Sequence, residues 1–153
     1  MVQPSELTLH MKRVLPAPRS LVFGALTKPD ELAKWWGPHG FTAPSVEVDL
    51  RVGGSYRIAM QPPEGDVFYL AGEFREVDPP TRVAYTFRWE DPDPDDQETV
   101  VTLSLRDLGE STELIFAQGT FAVERRRALH EEGWTDSLDR LQELMSDSNG
   151  REF

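Results

Sequence analysis

The sequence contains no cysteine and only three histidines among its 153 residues. The absence of cysteine excludes a disulfide framework, a thiol nucleophile and a cysteine-ligated metal site, and it agrees with a reducing compartment. No hydrophobic run approaches the length of a membrane span, and the opening segment MVQPSELTLHMKR lacks the apolar core of a signal peptide. We therefore expect a cytoplasmic protein that forms one domain over residues 1–153.

Positive charge is also scarce, because 16 lysines and arginines face 27 aspartates and glutamates, for a formal net charge of −11. A surface this acidic repels phosphate backbones and anionic lipid, so neither nucleic acid nor a membrane is expected as a partner.

Recognisable catalytic and metal motifs are missing as well. The segment HEEGW (130–134) is not HExxH, because Trp134 occupies the place of the second histidine. DPDPD (91–95) resembles the start of a calcium loop, but Asp96 stands where an EF-hand requires glycine. The nucleophile motif GxSxG is absent too. We predict no metal, no cofactor and no identifiable catalytic residue, and we interpret residues 90–98 as a solvated acidic loop.

Alternating hydrophobic residues and short turn signals predict an antiparallel sheet. The predicted strands cover residues 7–15, 45–52, 55–60, 67–77, 83–90, 99–108 and 112–119. Two short helices, RSLVFGAL and DELAKWW, are predicted between the first and second strands, with Pro18 and Pro29 suited to their first turns. The order of elements indicates an α+β protein.

From about Val123 to Met145 the hydrophobic period becomes helical. One stripe of this helix carries Trp134, Leu138, Leu141 and Met145. The opposite, polar side carries Arg126, Asp136, Arg140 and Glu143. Because the sheet and the helix each have an apolar face, each can bury the other, and residues 146–153 are expected to form a flexible tail.

A pair of tryptophans ends the second short helix, in the segment WWGPHGF (35–41). Neighbouring side chains on a helix point about 100° apart, so Trp35 and Trp36 face different surroundings. Gly37 and Gly40 allow the backbone to reverse sharply after them.

Several segments together resemble a known family. They are APRSLVFGALTKPDELAKWWGPHGF (17–41), DLRVGGSYRIAM (49–60), GEFREVDPPTRVAYTF (72–87) and HEEGWTDSLDRL (130–141). The combination of WWGPxGF, RxGG and GWx3Lx2L is similar to the SRPBCC superfamily, with its START and Bet v 1-like helix-grip fold. Within that superfamily the sequence resembles the family named after the activator of the heat-shock-protein-90 ATPase.

The resemblance implies a strongly curved antiparallel sheet wrapped around the long C-terminal helix, with a cavity between them. The short helices would close one end of the sheet. One of Trp35 and Trp36 would then face the cavity, and the other would pack against neighbouring strands or the sheet edge. A solid core built from the same residues is the alternative, because the alternation pattern is identical for both.

We predict that the inward-facing residues of the sheet, the closing segment and the helix contact a ligand. The candidates are Trp35, Trp36, Phe41, Tyr56, Ile58, Met60, Phe68, Leu70, Phe74, Tyr85, Phe87, Trp89, Leu103, Phe116, His130, Trp134, Leu138 and Leu141. The candidate polar anchors among them are Tyr56, Tyr85, His130 and the indole N–H of Trp134. Each has a structural alternative: a satisfied buried hydroxyl, the anchor of the helix, or a solvated histidine.

The favoured function is binding of a small apolar or aromatic molecule in the cavity. The family name suggests an alternative, a protein-interaction module that assists a chaperone or a regulator in the stress response. Eukaryotic members of that type carry a further N-terminal domain that binds the chaperone, and this sequence has no room for one. A cyclase, aromatase or hydrolase acting in the cavity is the third hypothesis, and a homodimer is left open.

Overall fold

The computed structural model describes residues 7–150 of the chain, with side chains up to residue 146. Its elements, in chain order, are β1 (Leu9–Leu15), α1 (Arg19–Thr27), α2 (Pro29–Trp35), β2 (Thr42–Val48), β3 (Ser55–Gln61), β4 (Phe68–Asp78), β5 (Arg82–Trp89), β6 (Thr99–Asp107), β7 (Thr112–Gly119) and α3 (Glu124–Gly150). No helix in this part of the chain combines the length and the apolarity needed to cross a membrane.

The strands form one seven-stranded antiparallel sheet in the order β1-β7-β6-β5-β4-β3-β2. Consecutive strands from β2 to β7 are neighbours, as the short predicted turns require. The first strand, β1, lies at one edge of the sheet and pairs with β7 from Leu9↔Gln118 to Leu15↔Thr112. The sheet is curved around α3. The predicted α+β helix-grip fold, with two short helices after the first strand, is confirmed.

The side-chain alternation of the strands determines which face of the sheet meets the helix. In β7, buried and half-buried residues alternate along the whole strand, and Leu114 and Phe116 are fully buried. Leu138 and Leu141 of α3 are buried with them in one hydrophobic core. Complete burial of such a side chain stabilises the fold by about 1.5–3 kcal/mol, so α3 is held chiefly by its apolar stripe.

Two elements differ from their predicted bounds by three residues or more. The second strand was predicted at 45–52, whereas β2 begins at Thr42 and ends at Val48. The reason is its pairing with β3: Val48 lies opposite Tyr56, and the intervening residues form a turn in which Gly54 N–H donates to the Arg51 carbonyl. Helix α3 continues to Gly150, beyond the predicted end at Met145. Of the predicted flexible tail, residues 151–153 lie outside the described part of the chain.

Candidate ligand-binding site

The two adjacent tryptophans at the end of α2 serve different interfaces. The Trp35 side chain is fully buried, and its indole N–H donates to the Ala25 carbonyl of α1 at 2.9 Å. The next residue, Trp36, contacts Trp134 of α3 edge to face, with ring centroids 5.2 Å apart at 77°. Trp35 therefore fastens α2 to α1, whereas Trp36 faces the helix that the sheet surrounds.

The turn after α2 is bound directly to α3. Gly37 has a φ of +99°, which a side chain would strain, and its N–H donates to Ser137 Oγ at 3.1 Å. The Arg140 guanidinium donates to the carbonyl oxygens of Trp36 at 3.1 Å and of Gly37 at 3.0 Å. Arg140, placed by the sequence on the polar side of the helix, is half-buried here, and burial lowers its pKa. It satisfies carbonyls at the C-cap of α2 and in the turn that follows.

A recess of about 370 Å³ lies between this turn, α3 and one end of the sheet, and it is partly open to solvent. Some predicted ligand-contact residues line it: Trp36, Phe41, Met60, Phe68, Phe87, Trp89, His130 and Trp134. Phe68 is 37% exposed and lies at the solvent side of the recess. All of these eight residues except Met60 carry an aromatic ring, and together they form the aromatic wall of the recess.

The remaining candidates lie in the hydrophobic core and do not line the recess. They are Trp35, Tyr56, Ile58, Leu70, Phe74, Tyr85, Leu103, Phe116, Leu138 and Leu141. At Leu138 and Leu141 the helix packs directly on the sheet, since these side chains are 1% and 0% exposed. The recess lies at one end of the inward face, so a ligand bound there would meet the eight lining residues and not these ten.

Edge-to-face and tilted ring contacts connect the aromatic residues of the wall. Phe87 and Trp89 have centroids 5.3 Å apart at 90°, Trp89 lies 5.4 Å from Phe68, and Phe68 lies 6.2 Å from Phe41 at 86°. Such pairs contribute about 0.5–1.5 kcal/mol beyond the area that they bury. These ring contacts hold the aromatic side chains of the wall against one another.

His130 contributes an imidazole ring to this wall. Its imidazole lies 5.3 Å from the ring of Phe87, 6.1 Å from Trp89 and 4.9 Å from Phe121. Burial, with a smaller contribution from the charge of Arg126, lowers the pKa of His130 to about 4, so the ring is uncharged at pH 7. Among residues 7–150, neither ring nitrogen has a hydrogen-bond partner.

The other predicted polar anchors are committed to the protein or held in its core. Tyr56 O–H donates to the Thr86 carbonyl at 2.6 Å, and Trp134 N–H donates to Gln118 Oε1 at 2.8 Å. Burial raises the pKa of Tyr85, which keeps its hydroxyl protonated. His130 alone among the four candidates lines the recess without a hydrogen bond to the described residues.

The acidic loop 90–98 contributes a polar side to the recess that the sequence reasoning missed. Arg126 is buried, and its Nε donates to Asp95 at 2.9 Å while Nη2 lies 3.2 Å from Asp96 and also contacts Asp93. Burial raises the pKa of Asp96, and the hydrogen bond from Arg125 contributes most to lowering that of Asp95. The loop is thus bound to the start of α3 and is not simply solvated. A signal was available, since Arg125, Arg126 and Arg127 form a basic run of opposite charge.

Gly133 is another residue of the recess that the sequence reasoning missed. A Cβ added there would have Pro38 Cγ as its nearest neighbour, at 3.9 Å, so glycine leaves room between α3 and the turn. The other missed lining residues are Gly37, Pro38, Tyr69, Asp91, Asp93, Asp96, Arg126, Leu129 and Ser137. A helical glycine costs about 1 kcal/mol relative to alanine. Glycine at position 133 therefore lowers the stability of the helix but leaves space in the recess.

A separate cluster brings possible metal-ligand atoms of His39, Asp136 and Asp139 within 4.8 Å of one another. Asp139 is already paired with Arg13 at 2.7 Å, and Asp136 accepts the backbone N–H of His39 at 3.3 Å. These contacts explain the cluster as a link between β1, α3 and the turn after α2.

Several solved structures are similar to this chain over nearly its whole length. A protein from Chromobacterium violaceum is 31% identical, with a TM-score of 0.81, and the match covers 91% of this chain and 96% of that chain. One from Nitrosomonas europaea is 30% identical, with a TM-score of 0.80 and coverage of 95% and 98%. The AHSA1 protein from Silicibacter pomeroyi is 27% identical, with a TM-score of 0.81 and coverage of 92% and 99%. Among curated proteins there is no match.

Residues 16–146 match the family described as "Activator of Hsp90 ATPase homolog 1-like protein". This range includes the turn after α2, the aromatic wall and the part of α3 that carries His130, Gly133 and Trp134. The chain therefore belongs to the activator of Hsp90 ATPase homolog 1-like family of the SRPBCC superfamily.

Proposed function

We propose that this protein binds a small apolar or aromatic molecule in the recess between α3 and the sheet. The observation that carries the proposal is the aromatic wall around about 370 Å³ of space. Ligand pockets typically measure about 300–1,000 Å³ and are mostly apolar with a few polar groups. An engineered cavity of about 150 Å³ accommodates benzene, so this recess has room for a molecule of two or more fused rings.

The preformed wall also favours binding energetically. Association costs free energy when side chains or loops must be ordered, and preorganisation reduces that cost. Here Trp36 packs on Trp134, and Phe87 packs on Trp89, before any ligand enters. The turn that carries Trp36 is held by Ser137 and Arg140. An incoming ring therefore meets rigid faces and edges to which it can stack.

A thermal-shift screen of apolar and aromatic compounds tests the proposal, with two leucine variants as a matched pair. A ligand present at one hundred times its dissociation constant stabilises the native state by about 2.7 kcal/mol. Gly133→Leu inserts a side chain into the recess and should abolish the shift. Glu132→Leu adds the same side chain at the exposed neighbouring position and should retain it. No shift with any compound, or equal shifts in both variants, would contradict the proposal.

The family description supports a second candidate, stimulation of a chaperone ATPase. That activity requires a protein partner and does not require an occupied recess. The rate of ATP hydrolysis by the chaperone, measured with and without this protein, tests it. A rate that rises equally with wild type and Gly133→Leu would favour the interaction role, because filling the recess would then be without consequence.

A further inference from the structure

We infer that His130 is the hydrogen-bonding anchor of the recess, and that it makes the recess prefer an uncharged aromatic molecule with a hydroxyl group. The preference holds over both the unsubstituted hydrocarbon and the corresponding carboxylate. This inference rests on the proposed ligand-binding function and adds the residue that sets specificity.

The other main polar side chains of α3 that face the recess already have partners. Trp134 donates its indole N–H to Gln118 at 2.8 Å. Ser137 Oγ accepts the Gly37 N–H at 3.1 Å. Arg126 is surrounded by carboxylates of the acidic loop, with Asp95 at 2.9 Å and Asp96 at 3.2 Å. A ligand that used any of these groups would compete with an existing interaction.

His130 differs because its ring is fixed while its nitrogens are not engaged by the described residues. Phe87 and Phe121 pack against the imidazole, with centroids at 5.3 Å and 4.9 Å. Gly133 lies three residues later, about one turn along α3, and supplies the space in front of this part of the helix. An uncharged imidazole carries one N–H donor and one acceptor nitrogen, so it suits a hydroxyl, which can both donate and accept.

The charges around the recess distinguish a hydroxyl from a carboxylate. Asp91, Asp93 and Asp96 line the recess, and Arg126 is the positive group in the same lining. The carboxylates outnumber the guanidinium, which is already paired with two of them. A bound anion would face this excess negative charge at reduced solvent screening, whereas a neutral hydroxyl would not.

Calorimetric titration at pH 7 with a matched series tests the inference: naphthalene, 2-naphthol and 2-naphthoate. Wild type should bind 2-naphthol about three- to tenfold more tightly than naphthalene, the worth of one net hydrogen bond. The naphthoate should bind at least tenfold more weakly than the naphthol. Tighter binding of the naphthoate than of 2-naphthol would overturn the inference.

Two variants separate a specificity role from a structural one. His130→Phe keeps a flat ring among Phe87 and Phe121 but removes both nitrogens. It should leave the affinity for naphthalene unchanged within about twofold and reduce that for 2-naphthol to the same level. His130→Gln, which retains a donor and an acceptor, should restore part of the preference. If His130 had only a structural role, His130→Phe would reduce the affinity for naphthalene and for 2-naphthol equally.

The outcomes separate the inference from the function on which it rests. If naphthalene and 2-naphthol bind equally well to wild type, or if His130→Phe keeps the preference, the inference is wrong and the ligand-binding function stands. If none of the three compounds binds to correctly folded protein, as judged by its circular dichroism, both are wrong.

Discussion

Helix α3 meets the sheet in two different ways along its length. In its second half, Leu138, Leu141 and Met145 are buried against the sheet with almost no exposed surface. In its first half, His130 and Gly133 face open space, and the neighbouring Leu129 is 45% exposed. The second half of α3 therefore contributes to stability, whereas the first half lines the partly open recess. The boundary between the two halves lies near Trp134.

The largest expected effect is on the packed half. Leu141→Ala should lower the free energy of unfolding by about 2–5 kcal/mol, because it removes buried methyl groups and leaves a cavity. Leu129→Ala, at the rim of the recess, should change it by less than about 0.5 kcal/mol. Urea denaturation measures both, and similar losses would mean that the two halves of α3 are packed alike.

The acidic loop at the recess provides the next comparison. Arg126→Ala should destabilise the fold by about 1–3 kcal/mol, because it leaves the Asp96 carboxylate, whose side chain is 9% exposed, without its cation. Arg125→Ala should cost less than about 1 kcal/mol, since that side chain is 68% exposed although it also pairs with Asp95. Equal unfolding midpoints for the two variants would show that the loop is not held by the buried arginine.

His130 should make the stability depend on pH. Its pKa is about 4 in the native state and about 6.5 in the unfolded chain, so the unfolded state binds the proton first as the pH falls. Stability is therefore unaffected above pH 6.5, falls between pH 6.5 and 4, and loses nothing more from this group below that range. The total loss is on the order of 1–3 kcal/mol.

His130→Phe is the control for that pH dependence. Arg126 and the recess carboxylates Asp91, Asp93 and Asp96 remain in the variant, so their titration cancels in the difference between the two proteins. Chemical denaturation at a series of pH values should show the wild type losing about 1–3 kcal/mol relative to the variant as the pH falls from 6.5 to 4. Parallel curves throughout would show that the imidazole titrates normally.

The smallest effect is expected at Gly133. Gly133→Ala should raise the free energy of unfolding by about 0.5–1 kcal/mol, because alanine has the higher helix propensity and its Cβ meets nothing closer than 3.9 Å. Affinity for an aromatic ligand should fall, since the methyl group enters the recess. A variant that is destabilised would indicate that the space in front of Gly133 is already filled.

Much of the fold could be predicted from the sequence, because period-two and helical patterns depend on local residue order. The alternation of Leu114 and Phe116 in β7 and the stripe of Leu138 and Leu141 in α3 correspond to buried faces in the structure. The end of β2 was harder to predict from the sequence, because the extent of this strand depends on its pairing with β3.

The candidate site was predicted only in part, for a physical reason. Alternation identifies the inward face, but residues at the packed end and at the open end share the same pattern, so Leu103 and Phe87 look alike in sequence. What distinguishes the open end is a pair of long-range features: the space at Gly133, and the contact of Arg126 with an acidic loop about thirty residues earlier. Neither follows from local periodicity.

The tryptophans offer the most direct test of the central claim that a ligand enters the recess. Trp36, Trp89 and Trp134 line it, whereas Trp35 is fully buried on the α1 side of α2. In an NMR titration of ¹⁵N-labelled protein with 2-naphthol, the indole N–H signals of the three lining tryptophans should shift and that of Trp35 should stay in place. Four unmoved signals, or a Trp35 shift as large as the others, would contradict the account.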